Sequence, residues 1–325
     1  MGNDSTTLNK SKRAKDDEYY TLYEDIAAEL PEYREQLRGK RIICPCDWDE
    51  SYNEESVYYD ESTATQTELF PPAGSVKNID IAATRAHFEK SFDRIKCNFI
   101  KFLVSHAEDY GIASVSVSGY NPATGNGVRF QNIDYSKYDL VITNPPFSQF
   151  REFIDVMMAN DKKFLVIGPQ NAITYKNVFQ YIKTNRMWMG YHYHLSGFMM
   201  PDGTIIPKND NLPRSCCWYT NLDVSYRCYK MILTEEYSPD KYPQYDDYEA
   251  IEVGKTKLIP YDYAGVMGVP ITFLQKYNPQ QFEIVGLDRY VEDNPHYGHR
   301  FTINGKETFA RILIRNLNPQ KTETL

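Results

Sequence analysis

The chain has 325 residues, with 36 Lys and Arg against 44 Asp and Glu, a formal charge of −8 at pH 7. With 42% hydrophobic and 25% charged residues it lies near the globular average, which excludes a disordered, collagen-like or fibrous chain. No run approaches the roughly 18 to 20 apolar residues of a membrane span, and the opening twenty residues hold no apolar signal region, so a soluble, unexported protein with no membrane partner is expected.

In chain order, residues 1–17 are polar and read as a mobile tail; MGNDST fits the loose myristoylation pattern at Gly2 and Thr6 by chance, since no second anchor signal accompanies it. Tyr19, Leu22, Tyr23, Ile26, Ala27 and Leu30 keep helical spacing, which predicts a helix stopped at Pro31. A short strand is expected over 41–46. Residues 51–96 read as an acidic insertion: they are poor in aliphatic residues, contain Pro71, Pro72 and Gly74, and resume helix-like spacing near Ala82 to Phe92. A helix over 98–107, a strand over 112–118 and a turn over 121–127 follow. The clearest alternation comes next: an apolar strand over 140–143, a helix from Phe150 to Met158, a second apolar strand over 163–168, and a helix over 176–184. Strands alternating with helices imply a largely parallel sheet covered on both faces, with ligands beyond the strands' carboxyl ends. The text changes beyond about Ser238 to Tyr-, Pro- and Asp-rich sequence with a strand-like run at 309–314, so the expected domains are 1–235 and 236–325.

Charge is unevenly spread. Between Ile42 and Val76 there are eight acids and no Lys or Arg, and the rest of the chain is neutral. Two stretches are basic: Lys10, Lys12, Arg13 and Lys15, and the run Arg300, Lys306, Arg311, Arg315 and Lys321. Each reads either as a solvated surface or as a phosphate contact. The six cysteines show neither paired zinc spacing nor the density of a disulfide scaffold, so no metal and a reducing cytoplasm are expected.

Asn144-Pro145-Pro146-Phe147 directly after an apolar strand is the sharpest feature. With proline near 5% of residues, a polar residue, two prolines and an aromatic arise together by chance in such a chain with a probability on the order of 0.01. An exocyclic amine conjugated to a ring is a poor nucleophile. It improves when two acceptors take its N–H protons and draw the nitrogen toward tetrahedral geometry. Two prolines lack N–H donors and stiffen the loop, so the Asn144 side-chain oxygen and the Pro145 carbonyl are suited to be that pair. Phe147 offers a flat face for stacking, worth about 1 to 3 kcal/mol per base. A base reaches such a pocket only when flipped out of its duplex.

This loop looks like the catalytic loop of amino-methyltransferases, and the chain resembles the EcoRI-type adenine-specific DNA methyltransferase family. The similar stretches are DDEYYTLYEDIAAEL, NFIKF, DLVITNPPFSQF, KKFLVI, NAITYKNVF and YEAIEVGKTKLIPYDYAGVMGVPITFLQKYNPQQFEI. The resemblance implies an α/β, Rossmann-like catalytic domain with a smaller C-terminal target-recognition module. It implies methyl transfer from S-adenosylmethionine to the N6 amine of adenine in double-stranded DNA, in a prokaryotic or phage-infected cell where a cognate restriction nuclease acts separately on the same site. By position, Tyr20 and Thr21 match the motif contacting the cofactor's methionine part, and Cys44, Pro45, Cys46 and Asp47 stand where that tail lies. Ser118 matches the ribose region, and Asp134 is the candidate for the adenine end. On the residues alone, Tyr20 reads equally as a core aromatic and Asp134 as a turn acid. CPCDWDE lacks the glycine usual in this loop, and no acid ends the 112–118 strand.

The same loop on RNA adenine or a protein glutamine, or a silent DNA-binding relative, are the alternative readings. His192 and His194 read as strand histidines, Cys216 and Cys217 as buried strand residues, and Gly265 to Pro270 as a backbone turn.

Overall fold

The computed structural model describes residues 20–47, 58–59, 76–87, 92, 95, 97–121, 125, 127–200, 203–207 and 215–320; the expected tail, the Gly2 pattern and most of the insertion lie outside them. Contacts gather the chain into two units, Met1–Gln170 with His192–Leu222, and Asn171–Tyr191 with Asp223–Leu325.

The first unit opens with strand β1 (Tyr20–Thr21) and helix α1 (Tyr23–Glu29). The helix begins at Tyr23, later than its spacing suggests, because Tyr20 and Thr21 are drawn into pairing with Met199 and Phe198. Pro31 ends α-helical bonding, as its missing N–H requires, and the chain tightens into a 3-10 turn before α2 (Arg34–Leu37). Strand β2 (Arg41–Cys44) ends two residues short of expectation, where Pro45 and Cys46 turn away. The far end of the insertion contributes β3 (Lys77–Asn78) and α3 (Ile81–Ala86), whose first turn is capped by the Asp80 carboxylate accepting from Ala83 N. Helix α4 (Asn98–Tyr110) stops at Gly111, which takes the left-handed conformation at φ 64°. Then come β4 (Ser114–Val117), β5 (Leu140–Thr143), α5 (Phe150–Ala159) and β6 (Lys163–Pro169). The chain passes to the second unit for α6 (Lys176–Lys183) and β7 (Trp188–Met189). It returns for β8 (Gly197–Met199), β9 (Ile205–Pro207) and β10 (Cys216–Thr220).

Six strands of this unit run in the order β3-β4-β2-β5-β6-β10. The four inner ones are parallel, while β3 and β10 are antiparallel to their neighbours. The fold is therefore mixed α/β around a large mixed sheet. Ile42, Ile43, Leu140, Val141, Ile142 and Phe164 to Ile167 are fully or almost fully buried, as expected of parallel strands covered on both faces. Helix α5 buries Phe150, Phe153, Ile154, Met157 and Met158, an i, i+3, i+4, i+7 stripe. The Phe150 ring lies so close to β6 that a Cβ on Gly168 would stand 2.2 Å from it, so only glycine fits there.

The second unit carries β11 (Ile251–Glu252), β12 (Val266–Pro270), β13 (Phe282–Leu287) and β16 (Arg311–Asn316), paired in the order β11-β12-β16-β13. The segment Gly265 to Pro270, expected as a turn, is largely this strand β12. Its glycine serves packing, since a Cβ on Gly268 would meet the Tyr245 hydroxyl at 2.1 Å. Strands β14 (Thr302–Ile303) and β15 (Lys306–Glu307) form a hairpin closed by Asn304 and Gly305, both at positive φ. Tyr245, Ala250, Val291, Phe301 and Leu313 form a core cluster, and Arg311 is buried in an ion pair with Glu252.

Candidate active site

The register of β2, β4 and β5 brings their carboxyl ends side by side. Immediately past β2, Asp47 turns back into the sheet and is almost fully buried. Its N–H donates to Ser118 O at 3.1 Å beyond β4. Its carboxylate accepts from Thr143 Oγ1 at 2.5 Å and from the N–H of Asn144, at the tip of β5, and from the thiol of Cys97 at the start of α4. Thr143 Oγ1 in turn accepts from Cys46 N at 3.3 Å. One residue thus ties three strand ends and a helix start together, β4 through its backbone N–H and β5 and α4 through its carboxylate. Burial pushes its pKa up to about 7, against the lowering effect of those donors. Cys44 and Cys46 are pushed well up by burial and by Asp47, and remain neutral thiols.

Asn144 and Pro146 are half-buried, while Pro145 and Phe147 are buried. The Pro146 carbonyl accepts from Gln149 N at 2.9 Å, closing the one-turn helix that leads into α5. Phe147 packs against Phe198 of β8 with centroids 5.9 Å apart at 72°. Phe198 is the register partner of Thr21, so β8 connects β1 to the proline loop. The Thr21 carbonyl accepts from Asn98 Nδ2 at 2.7 Å.

Of the expected residues, the structure therefore gathers Cys44, Pro45, Cys46, Asp47, Ser118 and the Asn144 to Phe147 loop at one edge, and links Tyr20 and Thr21 to it through Phe198. Asp134 is exposed, and its carboxylate caps the turn Tyr135–Lys137 by accepting from Ser136 N and Oγ, which holds its pKa below the usual carboxylate range. Two hydroxyls at the gathered edge, Thr21 Oγ1 and Ser118 Oγ, are buried with no hydrogen-bond partner. Buried hydroxyls are ordinarily satisfied, so these two fit polar groups of a bound S-adenosylmethionine, which would carry an activated methyl group on a positively charged sulfur.

His192 and His194 lie outside any strand, contrary to expectation. His192 N and Nδ1 meet Glu29 Oε2 at 2.7 and 2.8 Å, and Tyr33 Oη donates to Glu29 Oε1 at 2.7 Å. This bond raises the His192 pKa. One helical turn earlier, Asp25 accepts from Ser196 N and Oγ. The pair of carboxylates on α1 thereby fixes the segment that leads into β8. Among the described residues no group of three or more His, Cys, Asp or Glu is placed to hold a metal ion. Sequence reasoning missed Thr143, Cys97, Phe198, Glu29 and Asp25. Only Thr143 left a local signal, a hydroxyl ending an otherwise apolar strand.

A proline-stiffened loop at the tip of a parallel strand, beside unsatisfied buried hydroxyls on a mixed α/β sheet, accords with an S-adenosylmethionine-dependent amino-methyltransferase. The profile of the EcoRI adenine-specific methyltransferases matches residues 7–317. The chain is 40% identical over 333 residues to the type II methyltransferase M.EcoRI of Escherichia coli, covering 97% of each. It is 30% identical over 344 residues to M.MgeORF184P of Mycoplasma genitalium, covering 95% of this chain and 98% of that one. It is 29% identical over 344 residues to M.MpnI of Mycoplasma pneumoniae, covering 95% and 97%. No solved structure matches. The chain belongs to the EcoRI adenine-specific methyltransferase family, and is an enzyme that methylates DNA adenine with S-adenosylmethionine as donor.

Proposed function

We propose that the enzyme acts at one specific sequence in duplex DNA, on the N6 amine of a flipped-out adenine, with the Asn144 to Phe147 loop as its catalytic element. The supporting observation is the anchorage of Asn144: its N–H and the preceding Thr143 hydroxyl are both bound by buried Asp47. That leaves the Asn144 side chain and the Pro145 carbonyl to accept the two amine protons, while Phe147 stacks the base. A bound S-adenosylmethionine would supply the activated methyl group, and the two acceptors would hold the amine nitrogen toward it with its lone pair drawn out of the ring. Orientation supplies most of the acceleration, since an aligned attack needs no strong base. Thr21 and Ser118 hold the cofactor's polar groups, with Tyr20, Cys44, Pro45, Cys46 and Asp47 shaping its methionine end. The Rossmann-like reading of the sheet is supported by four parallel inner strands whose loops of interest lie at their carboxyl ends. Target recognition falls to a C-terminal module, residues 236–325. A cognate nuclease is suggested by the type II designation of the relatives, and among the described residues no helix is long and apolar enough to cross a membrane.

The test is to express the chain in a host and sequence its DNA for modified adenines. Methylation at one recurrent sequence is expected, and Asn144→Ala abolishes it while cofactor binding persists. Full methylation by Asn144→Ala would refute the role of the loop.

A further inference from the structure

Three of the cations that the sequence offered for phosphate contact are already committed. Arg311 is buried against Glu252, Arg315 pairs with Glu283 at 2.9 Å, and Arg300 donates to Thr308 O. A different segment of the same unit keeps its charge free. Residues 171–191 contain Lys176, Lys183 and Arg186 and no acid. Helix α6 buries Val178, Phe179 and Ile182 on one side, which turns Lys176, Gln180 and Lys183, at i, i+4 and i+7, to solvent. The two lysines stand about 10 Å apart along the helix axis. The third cation is fixed by the helix end. Asn185 takes φ 54°, Asn185 N donates to Ile182 O at 3.1 Å and Arg186 N to Tyr181 O at 2.8 Å, the paired bonds of a Schellman cap. That cap places the Arg186 guanidinium over the Tyr181 ring at 5.3 Å. Lys176 lies over the Tyr297 ring at 5.4 Å and bonds its hydroxyl. Among the described residues none of the three pairs with a carboxylate, in a chain whose net charge is −8.

We infer that Lys176 and Lys183 on this face of α6, with Arg186 just past its end, contact the DNA phosphate backbone. The inference rests on the enzyme acting on duplex DNA. An acidic enzyme must concentrate its positive charge to hold a polyanion, and three cations that meet no carboxylate among the described residues, on an acid-free segment, supply that concentration without reading any base.

The test measures binding of the full chain to two duplexes, one carrying its methylation sequence and one scrambled, across a salt series. For Lys176→Gln/Lys183→Gln/Arg186→Gln, the plot of log affinity against log salt becomes shallower by about 0.9 per lost contact, hence about 2 to 3 in total, equally for both duplexes. Cofactor affinity is unchanged, and Lys176→Arg/Lys183→Arg/Arg186→Lys keeps the wild-type slope. Lys183→Gln alone, which removes no internal bond, lowers the slope by about 0.9 and guards against misfolding of the triple variant. An unchanged slope in both Gln variants, or a loss confined to the specific duplex, overturns the inference. Wild-type chain that methylates no duplex overturns the functional reading itself, and the two failures are thereby told apart.

Discussion

Asp47, expected beside the cofactor's methionine tail, binds Thr143, Asn144 and Cys97 through its carboxylate. Replacing it by Asn turns an acceptor into a group that must present an amide N–H toward existing donors. Hydrogen bonds to charged groups are worth about 1.5 to 3 kcal/mol each. Asp47→Asn is therefore expected to lower kcat in single-turnover methylation far more than it weakens DNA binding; the reverse split would contradict the latch. Its pKa of about 7 also carries a sign. A carboxyl raised on folding binds its proton more tightly in the native state, so its stabilisation is complete below about pH 4 and is lost as pH rises through about 7. Denaturant titrations should show this decline in the wild type and its disappearance in Asp47→Asn. His192 acts in the same direction at higher pH. Its raised pKa favours the native state below about 6.5, and that advantage fades as pH climbs through the folded value. In Glu29→Gln this second decline should vanish from the same titrations, because the stability that the pair contributes below about pH 6 is lost.

At the scale of elements, the sheet tests how tightly α5 is seated. Gly168→Ala forces a Cβ into the Phe150 ring and should cost about 1 to 3 kcal/mol, seen as a lower thermal midpoint. A variant as stable as wild type would mean that the ring moves freely. Strands β5 and β6 were readable because three or four consecutive apolar residues shortly before Pro or Gly admit few other fates. The Asn144 to Phe147 loop was readable because prolines remove donors wherever they stand. Strand β1 was not, since two residues carry no period and its partner lies far along the chain at Phe198 and Met199. The bonds of Glu29 to His192 and of Asp25 to Ser196 escaped for the same reason. β12 was mistaken for a turn because Gly268 answers to Tyr245, a neighbour no local pattern reveals.

For the molecule as a whole, the two units make separable demands. In the second, Arg311 meets Glu252 with side chains only 10% and 13% exposed, and Tyr245 bonds the same carboxylate. Removing one partner of a buried pair leaves the other uncompensated, at about 3 to 5 kcal/mol. Glu252→Ala should therefore lose DNA methylation on mild heating while S-adenosylmethionine binding, measured calorimetrically, survives. Simultaneous loss of both would show that the units do not melt apart. The composition announced a globular enzyme but concealed where its usable positive charge lies, because pairing, a property of the folded chain, decides which cations remain available.

The knot at Asp47 has a last consequence. β4, β2 and β5 are adjacent, and neighbouring strands lie about 4.8 Å apart. On the proposed seating, with the donor at the first two tips and the acceptor loop at the third, the reach of the methyl group would be inherited from the hydrogen-bond ladder of the sheet. A substitution at Asp47 or Thr143 would then misalign the two reactants together, whichever DNA sequence the enzyme addresses.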